Sequence, residues 1–360
     1  MRRSVRVSAV LFATITAAGA FAAPAQAAAT GVASVSGTKV QYRAAKGKQN
    51  RVVVTRSGRS VTIDDQVAIR AGKGCTAVDR TRVRCRTSKT PTRVLVYTYD
   101  RADSVVNRAA LSITADGGTG PDKLTGGSRA DILLGGTGAD KLYGKGGNDT
   151  LDGKGGNDYL AGADGDDRLY GGSGNDVLHG TKGNDYLVPG SGHDKGYGGP
   201  GEDAFQMGKQ AAAGTDDDYI SGGTGESDSL SYSRYTIGIT ADADGVKGDD
   251  GAKGEHDTIE GDIERIRGGA GNDVLNGTYW HDYLYGGPGD DILNGLMNDD
   301  WLFGEEGRDK LYGGPDDDVL DGSDGADPNG QDLLDGGGDG ISAGDVCKAY
   351  GDDTKVDCEF

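Results

Sequence analysis

An all-β fold of stacked short strands is what this 360-residue sequence predicts, and three observations carry the prediction. First, a nine-residue sentence recurs without interruption from Gly135: GGTGADKLY, GKGGNDTLD, GKGGNDYLA, GADGDDRLY, GGSGNDVLH. Strict internal repetition marks a chain built from one small unit stacked many times. Second, glycine is the commonest residue, 66 of 360, with only 8 prolines and no triplet period. That excludes collagen and leaves turn-rich β repeats. Third, each copy ends in an aspartate and three residues with one apolar centre. Side chains alternate along a strand, so such a triplet is a minimal strand with its centre facing a core.

In chain order, residues 1–27 read as an export signal. Arg2, Arg3 and Arg6 precede an apolar stretch from Val7 to Ala23, and Pro24-Ala25-Gln26-Ala27 offers a small-x-small cleavage site, so the cut is expected after Ala27. No other segment is long and apolar enough to predict a membrane span. Residues 28–115 form a basic, β-rich N-terminal domain, with 17 basic and 5 acidic side chains. Arg51–Thr55 and Ser60–Ile63 flank a Ser57-Gly58 turn, and Thr92–Tyr99 is another strand-like run. Arg80, Arg82, Arg84 and Arg86 alternate and can share one strand face, which makes an anionic cell-wall polymer a candidate partner. Aromatic interleaving that would suggest nucleic acid is missing there.

The first array covers 116–206, a degenerate spacer 207–267, the second array 268–321, and a Gly- and Asp-rich cap 322–360. From Asp116 to the C-terminus there are 18 basic and 52 acidic side chains, a net of −34. Export permits disulfides, so Cys75 with Cys85, and Cys347 with Cys358, are expected to close short loops.

Counted from the first glycine, position six is aspartate in all ten copies of the first array: Asp122, Asp131, Asp140, Asp149, Asp158, Asp167, Asp176, Asp185, Asp194 and Asp203. It is aspartate in all six of the second: Asp273, Asp282, Asp291, Asp300, Asp309 and Asp318. A turn-stabilising role would accept Asn or Ser as readily, so sixteen identical carboxylates favour a metal. Glycines let carbonyl oxygens point inward. Carbonyls and carboxylates, without His or Cys, suit calcium better than zinc, copper or magnesium. Position eight is Leu in fourteen copies, with Gly196 and Phe205 as exceptions. Tyr143, Tyr159, Tyr170, Tyr186, Tyr283, Tyr285 and Tyr312 fall at positions seven or nine and are expected on the outer faces.

The GGxGxDxLx sentence resembles the nonapeptide of the RTX, or hemolysin-type, family of glycine-rich calcium-binding repeats in bacterial secreted proteins. The resemblance implies a right-handed parallel β-roll with two nonapeptides per turn, multiple calcium ions between loops of successive turns, and folding outside the cell. The region around Cys75 and Cys85 is similar to the leader of small secreted actinobacterial calcium-binding proteins. Several copies depart from the pattern. Arg129, Trp280, Asn298 and Asp316 replace the glycine at position four, and Pro189 stands at position one. Weaker sites are expected there.

Catalytic constellations are not visible. His179, His193, His256 and His281 are each followed by Gly or Asp, so none begins H-E-x-x-H. The single G-x-S-x-G, Gly340 to Gly344, lacks strand and helix flanks and has no His after Ser342. The reading is a secreted, non-enzymatic calcium binder. A calcium-stabilised adhesin module and a carboxylate-based hydrolase are its alternatives.

Overall fold

The computed structural model describes residues 30–208, 216–225, 227–323, 331–337, 344–349 and 353–358. The export signal therefore lies outside the described residues, as does most of the Gly340–Gly344 stretch. The described residues are β-strand, turn and loop, arranged in sheets of sixteen, twelve and seven strands. Among them, no helix is long and apolar enough to cross a membrane.

Successive copies of the repeat alternate between two sheets. In the sixteen-stranded sheet, Leu133 pairs in register with Leu151, and Leu151 with Leu169. In the twelve-stranded sheet, Leu124 pairs with Leu142, and Leu142 with Leu160. Each pairing is parallel and advances by eighteen residues, two copies. Position eight faces inward from both sheets, and Leu124 through Leu187 are fully buried. Each such side chain contributes roughly 1.5–3 kcal/mol through burial.

The two exceptions at position eight answer each other. A Cβ on Gly196 would stand 2.9 Å from the Phe205 ring. The larger ring of one sheet thus occupies the room left by the missing side chain of the other, and the core keeps its volume.

The outer-face tyrosines are half-buried, as their positions predict. They lean on one another along the stack. Tyr143 and Tyr159 have ring centroids 5.8 Å apart. His179 and Tyr197 stack at 4.7 Å and 7°, and Tyr283 and Trp301 at 4.8 Å and 7°. In these stacked pairs the ring faces meet neighbouring rings rather than solvent, so they act as cross-strand packing.

One core column runs the length of the solenoid. It begins at Tyr42, passes Val96, Ala115 and Leu133, and continues to Phe205. It then crosses the spacer through Leu230 and Ile266 and runs on to Leu284, Leu320 and Cys347. The two arrays are therefore one stack on this face. Composition places a boundary between Ala115 and Asp116, but both lie inside the strand Ser112–Thr119. Ala115 pairs with Val96 on one side and Leu133 on the other. The basic region and the first array share a core, because an apolar strand propagates its register whatever charges its outer face carries.

The spacer acts on the opposite face. There the twelve-stranded sheet ends at Thr258–Ile259. The seven-stranded sheet then starts with Gly251–Ala252, which pairs antiparallel with Ile239–Asp242, and that strand pairs with Val274–Asn276.

The two ends are built differently from the middle. At the N-terminal end, Arg51–Ser57 and Ser60–Asp64 pair antiparallel around the predicted Ser57-Gly58 turn. Arg82–Arg86 adds to them, with Arg82, Arg84 and Arg86 exposed and Val83 and Cys85 buried. Cys75 and Cys85 are bridged across the antiparallel pair at the sheet's edge. At the other end, Cys347 and Cys358 are bridged. Cys347 lies in the last strand of the sixteen-stranded sheet, and Cys358 follows the last strand of the seven-stranded one. Both bridges restrain edges that a solenoid would otherwise leave open.

Candidate metal centre

All sixteen position-six aspartates are buried, none more than 2 % exposed. They form columns along the stack. The Oδ1 of Asp140 accepts the N–H of Asp122 at 2.7 Å, and the Oδ1 of Asp158 accepts the N–H of Asp140 at 2.7 Å. The same bond links Asp149 to Asp131, Asp167 to Asp149, Asp176 to Asp158, Asp185 to Asp167, Asp194 to Asp176, and Asp203 to Asp185. In the second array it links Asp291 to Asp273, Asp300 to Asp282, Asp309 to Asp291, and Asp318 to Asp300. Asparagine would make this bond too, so it does not explain why the residue is aspartate.

The second oxygen does. In Asp122, Asp140, Asp149, Asp158, Asp167, Asp176, Asp185, Asp194, Asp203, Asp291 and Asp300, Oδ2 is buried with no hydrogen-bond partner. Except in Asp194, whose copy begins with Pro189, it lies against the first glycine of its own copy: a Cβ on Gly153 would be 2.3 Å from the Oδ2 of Asp158. A buried carboxylate oxygen without a donor is costly, and such charges are normally paired or bound to a metal. Carboxylate oxygens and loop carbonyls without a nitrogen or sulfur donor are the ligand set of calcium. The residues fit the ion.

Burial also raises the pKa values of these carboxyls. Desolvation, reinforced by the neighbouring Asp131 and Asp167, pushes Asp149 up to about 8. Asp158 is pushed to about 7, again by burial with help from Asp176 and Asp140. Asp194 reaches about 9, from burial and the adjacent Asp218. Without a cation, these groups favour a proton over a charge.

Three loops are different. Asp131 takes the Gly127 N–H on Oδ2 at 2.6 Å, and Asp273 takes the Gly269 N–H at 2.6 Å. Asp282 takes both the N–H and the hydroxyl of Thr278. Arg129 and Trp280 at position four anticipated two of these, but Gly268–Asp273 reads GGAGND and gives no warning. What the three share is position. One turn earlier, Asp131 and Asp273 meet the N–H groups of Ile113 and Ile239 rather than that of a repeat aspartate. Asp282 follows the Glu264 segment in the same way, since the Tyr283 N–H bonds to the Glu264 carbonyl. In these three loops the carboxylate turns onto its own backbone.

The columns also include residues that the repeat does not mark. Asp103, Asp218, Asp228, Asp257, Asp332 and Asp345 are buried and accept or extend the same bond. Each stands two residues before an inward-facing or terminal strand residue, as in Asp218-Tyr-Ile and Asp257-Thr-Ile. That D-x-apolar triplet was a legible signal, hidden because the loop ahead of it changes length. A second ladder runs through position five: the Asn157 side chain accepts the Asn175 N–H at 3.0 Å, and Asp166 accepts that of Asn184 at 3.2 Å.

Stacked short strands, a single-residue core and columns of buried carboxylates define a metal-binding β-solenoid. The RTX calcium-binding nonapeptide repeat matches this chain in overlapping windows spanning 116–205 and again at 267–327. Over these residues the chain is similar to calcium-binding RTX repeats, in agreement with the buried carboxylate columns. No curated protein matches the chain.

Proposed function

We propose that the protein is exported, loses its signal after Ala27, and folds on calcium outside the cell into a right-handed roll. In this reading Asp122, Asp140, Asp149, Asp158, Asp167, Asp176, Asp185, Asp194, Asp203, Asp291 and Asp300 are ligands through Oδ2. Asp309 and Asp318 occupy the same register in their columns. Asp131, Asp273 and Asp282 position the chain instead. The observation that carries the proposal is the row of buried Oδ2 atoms lacking a donor. Basic start, arrays, spacer and disulfide cap then act as parts of one stack.

Counting bound calcium by native mass spectrometry tests the assignment. Asp158→Asn keeps the acceptor for the Asp140 N–H but removes a charge, and is expected to lower the count by at least one. Asp282→Asn is expected to leave it unchanged. An unchanged count for Asp158→Asn would sink the ligand assignment.

A second reading, attachment of the roll to an anionic wall polymer, is favoured by the exposed Arg82, Arg84 and Arg86 on the capping strand. Arg82 is held by Asp79 at 2.6 Å, which leaves Arg84 and Arg86 to make the contact. The calcium-loaded chain should sediment with an anionic wall polymer at low salt and be released as salt rises. Equal sedimentation of an Arg84→Ala, Arg86→Ala variant would remove this reading.

A further inference from the structure

We propose that Thr98–Asp103, in the basic region ahead of the arrays, is a divalent-cation loop, and that with Gly117–Asp122 it forms the first metal site of the solenoid. The inference rests on the calcium reading of the arrays and extends it to a segment that the repeat family does not match. Its sequence, TYDRAD, shares only the final aspartate with GGxGxD.

The loop stacks as a repeat loop does. A Cβ on Gly118 would lie 2.1 Å from the Tyr99 carbonyl oxygen, and one on Gly120 would lie 2.4 Å from that of Arg101. One turn later the relation repeats, with the Gly118 oxygen 1.9 Å from a Cβ on Gly136 and the Gly120 oxygen 2.5 Å from one on Gly138. Tyr99 and Arg101 thus take positions two and four. Both are left-handed, with φ of 76° and 75°, where Gly118 and Gly120 have 99° and 109°. Bulky L-residues hold such angles only at a cost.

The independent sign of a ligand is the carboxylate. Asp103 is 4 % exposed. Its Oδ1 accepts the Asn50 N–H at 2.6 Å, and its own N–H donates to Asp122 at 2.7 Å. Its Oδ2, like that of Asp122, is buried without a donor at hydrogen-bond geometry; the nearby Thr98 hydroxyl favours the charged carboxylate but is itself directed to the Asp116 and Gly117 carbonyls. Asp100 is not part of this arrangement, since its carboxylate is taken by the Gly47 N–H at 2.6 Å. Two stacked carboxylates with an open oxygen each, under loop carbonyls, suit a hard divalent cation. Such an ion would tie the basic region to the first array.

The test counts calcium on the chain lacking only residues 1–27, by native mass spectrometry, for the parent and for Asp103→Asn. Asparagine retains the acceptor for Asn50, so the expected result is one ion fewer with an unchanged far-UV spectrum in excess calcium. In parallel, Arg101→Gly removes the left-handed strain and is expected to tighten one site several-fold in a calcium titration. Equal non-zero counts for parent and Asp103→Asn overturn this inference alone. So does a loss of ions that comes only with loss of β signal while Arg101→Gly leaves affinity unchanged. No calcium on the parent chain overturns this inference and the proposed function together.

Discussion

Chelating calcium at pH 7.5 is expected to remove about half or more of the far-UV β-sheet signal of the chain lacking residues 1–27, because metal binding supplies folding free energy when the site does not pre-exist in the unfolded chain. Returning calcium in excess should restore the signal. From Asp116 onward the chain carries 18 basic and 52 acidic side chains, a net of −34, and its repeat aspartates stack one per turn in columns without interleaved lysine or arginine. The core opposing that repulsion is thin, essentially one leucine per nine residues. Ligand linkage adds about 4 kcal/mol per site at a thousandfold excess over Kd, so several sites decide the balance. Residual structure in the chelated chain should come from the basic end. There the antiparallel strands and the Cys75–Cys85 bridge do not depend on a carboxylate column. An identical spectrum in chelator and in calcium, with no shift in the thermal midpoint, would refute metal-dependent folding.

The strands and the core of this fold were legible because each is written in nine residues. Leu at position eight must face inward, and Asp at position six must precede it. The continuity of the stack was not legible. Val94, Ile113 and Leu230 carry the inward register through stretches with no glycine sentence, and a strand's face is set by alternation rather than by family resemblance. The closing of loops was hidden for a related reason. Gly268–Asp273 is a complete copy by sequence, yet its carboxylate is consumed by Gly269. Whether a loop stays open is not written in its own nine residues. Conversely, Thr98–Asp103 lacks the glycines but stacks beneath a loop that has them.

In chelator, lowering the pH from 8 to 5 is expected to increase the β signal, the reverse of ordinary acid denaturation. The folded, metal-free roll raises many carboxyl pKa values above their usual range near 4: Asp167 and Asp203 to about 6, Asp122 and Asp185 to about 7, Asp149 and Asp300 to about 8. Burial is the leading cause in each case. A carboxyl with a raised folded pKa binds its proton more tightly in the folded state. Its contribution to stability is complete below the unfolded pKa and is lost as pH rises through the folded one. The window is therefore about pH 4 to 9, with the steepest loss at about pH 5 to 6, where the unfolded carboxyls are already ionised and the folded ones still hold their protons. Calcium reverses the slope. A ligand oxygen must be deprotonated to bind, so protons compete with the ion and apparent affinity should fall as pH drops through the same range. Calcium binding at pH 6.5 should release protons, measurable as a dependence of calorimetric heat on the buffer's ionisation enthalpy. A chelated chain that loses structure on acidification, or calcium binding with no proton release, would contradict the buried, charge-averse columns on which both trends depend.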